Sequence, residues 1–280
     1  MRIALTGGTG FIGSHFLNQA LSAGHEVQAL RRSQSSKPRI SLLKSPFWLE
    51  RQLDEVTSEE LVDCDVLVHL AAHTGNVPYD SLANCLRWNL NAVLALFEQA
   101  HMAGIKRFIV AGSCFEYGKS GERYKEIPTD APLEPTNAYA ASKAAATISL
   151  RQWAIEHEVS LEVLRIFHVY GEGELKTRLW PSLRQAAISG NDFEMTEGAQ
   201  IRDFQPAEDI AKTFLNRACT EIYKKEVEIL NLGTGNPRTI REFAEKWWRH
   251  WGAKGEIKFG AKQYRKDEVM TYVPKPSLYI

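Results

Sequence analysis

The sequence has no CxxC pair: its four cysteines, Cys64, Cys85, Cys114 and Cys219, stand far apart, which excludes both a zinc ribbon and a disulfide framework. No metal site is expected, and a reducing cytoplasm suits the chain. Long apolar runs are missing too. None reaches the roughly 18 residues of a membrane helix, and the opening MRIALTGGTGFIG is broken by glycines where a signal peptide would carry its apolar stretch. A soluble protein with no membrane partner is expected. Neither sign of charge is in excess, since Lys+Arg and Asp+Glu both number 34. That balance gives no electrostatic pull toward nucleic acid and leaves a small molecule as the natural partner. Internal repeats and low-complexity linkers are also lacking.

What is present is enough for a full core: 280 residues, 44% of them hydrophobic. That length suits one α/β domain with a smaller appended lobe. Short β-branched or leucine-rich runs alternate with longer amphipathic stretches, the pattern of a parallel sheet with crossover helices. Strands are predicted at Arg2–Thr6, Glu26–Leu30, Phe47–Leu49, Val66–Leu70, Arg107–Ala111 and Leu161–Ile166. Helices are predicted after Gly10, over Ser81–Met102 and over Asn137–His157. In the second of these, Leu86, Leu90, Val93, Leu94 and Phe97 recur at helical spacing and form a core-facing stripe. Beyond Gly171 the alternation weakens, so a first domain over residues 1–170 and an interleaved smaller lobe over 171–280 are expected.

The stretch RIALTGGTGFIGSHFLNQAL places Gly7, Gly10 and Gly13 after a predicted strand and at the opening of a helix. Glycines there allow a tight turn and a close backbone approach to a pyrophosphate, while the helix N-terminus offers unpaired N–H donors. The next strand ends in HEVQALRRS, where a dinucleotide fold that takes NAD usually has an acid. Arg31 and Arg32 instead suit a 2′-phosphate, which guanidinium groups hold by paired hydrogen bonds. The reading therefore favours NADP(H), with NAD(H) still open if the two arginines are only solvated strand-end charges.

Tyr139 and Lys143, four apart in YAASK, share a helix face. Hydride reduction of a ketone makes an alkoxide that needs a proton, and a tyrosine can give one if a neighbouring cation stabilises its anion. Ser113, just past a predicted strand in RFIVAGSCFEYG, can donate to the same oxygen, although a serine there can also simply end the strand.

With the glycine turn, Ser113 and the Tyr139–Lys143 pair in this order, the chain resembles the extended short-chain dehydrogenase/reductases that act on nucleotide sugars, the NAD-dependent epimerase/dehydratase family. The motifs are TGGTGFIG, HLAA at His69–Ala72, NAYAASK, and RDF at Arg202–Phe204. The resemblance implies a Rossmann fold, a doubly wound parallel sheet, with a C-terminal lobe for a nucleotide-diphosphate sugar. It implies a catalytic triad of Ser113, Tyr139 and Lys143, and a homodimer paired through the second and third predicted helices. Cofactor contacts are implied at Gly7, Gly10, Phe11, Ile12, Gly13, Leu70, Ala71, Ala72 and Asn89, besides Arg31, Arg32, Tyr139 and Lys143. Substrate contacts are implied at His73, Ser113, Cys114, Phe115, His168, Arg202 and Arg265, with both arginines on the diphosphate. His168 also suits a core histidine.

The last third is similar to the CDP-abequose and CDP-paratose synthases, which reduce a 4-keto-6-deoxy sugar with NADPH, through HVYGEGE, EGAQIRDF, NLGTG and KFGAKQYRKDEVM. Such relatives extend past the point where VPKPSLYI stops, by a helix of about 25–30 residues. By resemblance, the 4,6-dehydratases carry an Asp-Glu pair after the triad serine, and the fucose-synthase type keeps a cysteine at the position of Phe115. Cys114-Phe115 supplies neither, which disfavours both chemistries. An NADP(H)-dependent reductase is the favoured reading and an NAD-dependent 4-epimerase the second. A non-catalytic NADP(H)-binding sensor or scaffold is the third.

Overall fold

A strand buried on both faces needs apolar residues throughout, and the fourth strand of the chain, with sequence VLVH, is buried along its whole length. The computed structural model of the chain describes residues 1–75, 77–220, 226–265 and 268–279. In chain order its strands are β1 (Arg2–Thr6), β2 (Glu26–Arg31), β3 (Phe47–Glu50), β4 (Val66–His69), β5 (Arg107–Ser113), β6 (Ser160–Ile166) and β7 (His168–Tyr170). They continue with β8 (Phe193–Glu194), β9 (Ile201–Arg202), β10 (Phe204–Pro206), β11 (Val227–Gly233), β12 (Arg238–Thr239), β13 (Ile257–Lys258), β14 (Thr271–Tyr272) and β15 (Leu278–Tyr279). The helices are α1 (Phe11–Ser22), α2 (Leu82–Leu86), α3 (Ala92–Met102), α4 (Ala138–Glu156), α5 (Leu179–Ser189), α6 (Ala207–Cys219) and α7 (Ile240–His250).

Eight strands form one sheet in the order β15-β11-β6-β5-β4-β1-β2-β3, and every pairing in it is parallel. Successive side chains divide between its faces. Ile3, Leu5, Val27 and Val68 meet Phe16 and Leu17 of α1 and Phe214 of α6. Ala4, Leu30, Leu67 and Phe108 meet Phe97 of α3 and Leu150 and Trp153 of α4. The chain runs from β1 outward to β3, then returns to place β4 on the other side of β1. Ligands gather at the carboxyl ends of the strands beside such a reversal.

The six predicted strands and three predicted helical stretches are all present, with β5 extended to include Ser113. The stretch from Leu82 to Met102 contains one π-turn, Arg87–Asn91, which buries Asn89. The last third is interleaved with the first: α6 packs against α1, and β11 and β15 extend the main sheet. Small paired strands stand apart from it, β7 with β10, β8 with β13, and β9 between β12 and β14. Leu183 of α5 and Ala244 of α7 centre a separate apolar cluster with Met195, Trp247 and Trp251.

Candidate active site

At the carboxyl end of β1 the glycines are required by geometry. Gly7 has φ +76°, and a Cβ on it would stand 2.5 Å from the Ala71 nitrogen and the Leu70 carbonyl carbon. A Cβ on Gly13 would overlap the Gly7 carbonyl oxygen. Gly10 donates to that same oxygen at 2.8 Å and caps α1, whose first turn, opening with Phe11 and Ile12, holds no acidic residue. The outcome is a bare cradle of backbone N–H groups against β4, of the kind that receives a pyrophosphate. Leu70, Ala71 and Ala72 follow β4 directly, and Ala71 is tied back to β1 by its N–H on Thr6 Oγ1 at 3.3 Å.

The end of β2 differs from the sequence reading. Arg31 is not open: its Nη2 donates to Glu50 Oε1 at 2.7 Å, and its guanidinium lies 4.9 Å from the centre of the Trp48 ring. β2 and β3 pair with Arg31 opposite Glu50, so the acid missing from the end of β2 arrives from the neighbouring strand. Arg32 is exposed. A cavity of about 560 Å³ opens beside this edge, lined by Arg31, Lys37, Arg39 and Trp48 among others.

Ser113, Tyr139 and Lys143 meet at the end of β5. Asn137 caps α4 by accepting the Ala140 N–H at 2.9 Å, which starts the helix with Tyr139 in its first turn. All three triad residues are buried. Burial pushes the Tyr139 phenol above its ordinary value, and a hydrogen bond with Ser113 opposes this. Tyr79 stacks parallel to the Tyr139 ring at 6.1 Å, and Phe115 meets it edge-on at 6.5 Å. Lys143 turns its ammonium to the Ala111 carbonyl at 2.7 Å rather than to the phenol. Burial lowers its pKa, and the Glu116 carboxylate opposes that shift. Asn89 braces the group from behind, accepting the His73 N–H at 2.7 Å and donating to Ser142 Oγ at 2.9 Å.

The substrate candidates differ in their surroundings. Cys114 is buried, and its thiol is pushed up to about 12 by burial, so it gives no proton near neutral pH. His168 Nδ1 is buried with no partner among the described residues. Burial, then the charges of Arg202 and Arg178, hold that imidazole well below its ordinary pKa and therefore neutral. Arg202 is more enclosed than the sequence suggests, since it donates to the carbonyls of Val269 at 2.6 Å and Met270 at 3.2 Å and pairs with Glu268 at 3.4 Å. Arg265 is exposed. His73 Nε2 donates to Asp80 Oδ2 at 2.8 Å.

The model of the family described as NAD dependent epimerase/dehydratase matches residues 3–233. The chain belongs to this family. It is 26% identical to the CDP-abequose synthase of Salmonella muenchen over 272 residues, 96% of this chain and 87% of that protein. It is 29% identical to the UDP-glucose 4-epimerase of Lacticaseibacillus casei over 240 residues, 75% of this chain and 70% of that one. Among solved structures it resembles MoeE5 in complex with UDP-glucuronic acid and NAD, with TM-score 0.83 and 25% identity, covering 99% of this chain and 90% of that one. The chain is accordingly an enzyme-family member whose relatives modify nucleotide sugars, built on a Rossmann-like fold.

Within this epimerase/dehydratase fold, several residues around the site carry no sequence expectation. Glu50 sets the surroundings of Arg31. Arg178 adds positive charge at His168 and Cys114. Tyr79 covers the triad tyrosine. Glu116 accepts the Ser113 N–H at 2.8 Å. For Glu116 a signal existed, since SCFE has the S-x-x-E spacing of a capping box.

Proposed function

We propose that this protein is an NADP(H)-dependent reductase of a nucleotide-linked 4-keto-6-deoxy sugar, working at C4. The observation that carries the reading is the meeting of buried Ser113 and Tyr139 at the end of β5, followed in sequence by the non-acidic pair Cys114-Phe115. The cradle of Gly7, Gly10 and Gly13, closed to a Cβ at Gly7 and Gly13 and tight at Gly10, fits a dinucleotide pyrophosphate. A nicotinamide dinucleotide, when bound there, supplies the hydride. Tyr139 gives its proton to the oxygen that becomes the alcohol, and Ser113 donates a hydrogen bond to the same oxygen. Lys143 balances the charge left on the phenolate. Arg178, Arg202 and Arg265 supply the cations that suit a diphosphate and the neutral His168 a hydrogen-bonding ring, in a sugar lobe over residues 171–280, with the dinucleotide in residues 1–170. The exposed Arg32 supports the 2′-phosphate reading, as do Lys37 and Arg39, which line the cavity beside Arg31.

A second reading, an NAD-dependent 4-epimerase, draws support from Glu50, an acid at the strand edge where a 2′-phosphate would be repelled. The two separate by stoichiometry. A reductase consumes one NADPH for each 4-keto-6-deoxy sugar turned over, whereas an epimerase interconverts sugars with no net change in the dinucleotide. Conversion of UDP-glucose without dinucleotide consumption overturns the reductase reading. The proposed enzyme acts in the cytoplasm as a homodimer.

A further inference from the structure

Behind the triad serine lies a buried ion pair to which the proposed chemistry gives no role. Glu116 is 0% exposed and Arg165, on β6, is 2% exposed, and Arg165 Nε donates to Glu116 Oε2 at 2.9 Å. The other carboxylate oxygen accepts the Ser113 N–H at 2.8 Å, while Ser113 Oγ accepts the Phe115 N–H at 3.2 Å. These reciprocal bonds make a capping box.

A capping box ordinarily opens a helix, but the turn it opens here, Cys114–Glu116, is only three residues long. The box therefore supports no helix of consequence. What it fixes is Ser113 itself. A hydroxyl oxygen that accepts from Phe115 has its own proton directed elsewhere, and the group that faces it is the Tyr139 phenol. Burying two charges is costly unless their hydrogen bonds are satisfied, and closing so short a turn does not require it. Here the partners are in place: Arg165 Nη1 donates to the Tyr117 hydroxyl at 2.7 Å and to the Thr129 carbonyl at 2.9 Å. Tyr117 donates onward to Asn231 Oδ1 at 2.7 Å, and Tyr272 holds the Cys114 carbonyl at 2.8 Å.

We propose that Glu116, held by Arg165, is a positioning residue that fixes the rotamer and the proton direction of Ser113. This rests on the triad reading given above and adds a residue to it.

Two double variants test it, because removing Glu116 alone strands the Arg165 charge. Glu116→Gln with Arg165→Met keeps an oxygen for the Ser113 N–H, whereas Glu116→Leu with Arg165→Met does not. Both lose the charge that acts on Lys143, so their difference reports the cap alone. The Leu/Met protein is expected to turn over about 10–100-fold more slowly than the Gln/Met protein, part of the effect of losing an oxyanion donor. Its KM is expected to stay within about threefold, as for an interaction made mainly in the transition state. Equal kcat in the two variants, or KM rising in step with the loss, overturns the proposal. Ser113→Ala separates this from the functional reading: full turnover there refutes the triad, while a slow Ser113→Ala with two equal double variants refutes only the positioning role. Should the double variants not fold, amide exchange on the unsubstituted protein decides. Protection of the Ser113 and Phe115 amides comparable to β5 is expected, and free exchange at either overturns the proposal.

Discussion

Glu50 and Arg31 face each other across the paired ends of β3 and β2, carboxylate to guanidinium at 2.7 Å. The pair presents a cofactor with both signs of charge at one edge, so dinucleotide choice depends on which partner is free to act. Arg32, next in sequence to Arg31, is an exposed cation. Glu50→Gln removes the acid and loosens Arg31, and the preference for NADPH over NADH is expected to rise about tenfold or more, the scale of one charge-assisted bond. Arg32→Ala is expected to move the ratio the other way. Titration of each variant with both dinucleotides measures it, and a ratio untouched by both substitutions removes this edge from cofactor selection.

Glu174, in the loop after β7, is 9% exposed and has one carboxylate oxygen without a partner among the described residues. Burial raises its pKa to about 7, while the nearby Arg178 opposes the shift. An acid whose folded pKa is raised binds its proton more tightly in the folded chain. Its contribution is fully present below the unfolded value of 4.5 and is lost as pH rises through about 7. Glu174→Gln, which cannot ionise, is therefore expected to match the parent at pH 4.5 and to be more stable at pH 8 by about 3 kcal/mol. Urea midpoints at the two pH values measure this, and an equal difference at both refutes the buried acid.

The sheet was legible because a strand buried on both faces is written in continuous apolar residues, as in VLVH of β4, and because glycines punctuate the turn after β1. The gathering of Ser113, Tyr139 and Lys143 at one strand end was legible because a serine at a strand end and a Tyr–Lys pair at helical spacing are local patterns. What could not be read depends on pairing between distant segments. Glu50 reaches Arg31 through β2–β3 register, and Arg202 is enclosed because the segment leading into β14 runs beside β9. Neither register is set by a motif. Glu116 lies between these cases: its spacing from Ser113 was visible, but a capping box at the end of a strand does not look like a helix start.

Ile148 and Ile155 lie seven apart on one face of α4 and are 60% and 46% exposed, and Met102 at the end of α3 is 68% exposed. Apolar side chains left open on adjacent helices suit a helix-pair interface between two copies. Each buried isoleucine contributes about 1.5–3 kcal/mol to such an interface. Sedimentation velocity is expected to show a dimer that becomes a monomer in Ile148→Glu with Ile155→Glu. A monomeric parent, or a dimer unaffected by both charges, removes α4 from the interface.

Tyr139 is enclosed by Tyr79 and Phe115, and burial raises its pKa, so the phenol stays protonated through neutral pH and is ready to act as the acid of a reduction. Tyr139→Phe keeps the ring and its stacking while removing the hydroxyl that carries the proton. Turnover of a nucleotide-linked 4-keto-6-deoxy sugar is expected to fall about 10²–10⁴-fold, the usual contribution of a positioned acid, with dinucleotide affinity nearly unchanged. Lys143→Met is expected to weaken both, because it removes the buried cation and its hydrogen bond to the Ala111 carbonyl. The pH profile gives an independent check. In the reducing direction the parent enzyme is expected to hold its rate through neutral pH and lose it only on the alkaline side, as the phenol ionises. That alkaline limb is expected to vanish in Tyr139→Phe, and a variant that keeps both full turnover and the limb shows that the proton comes from elsewhere.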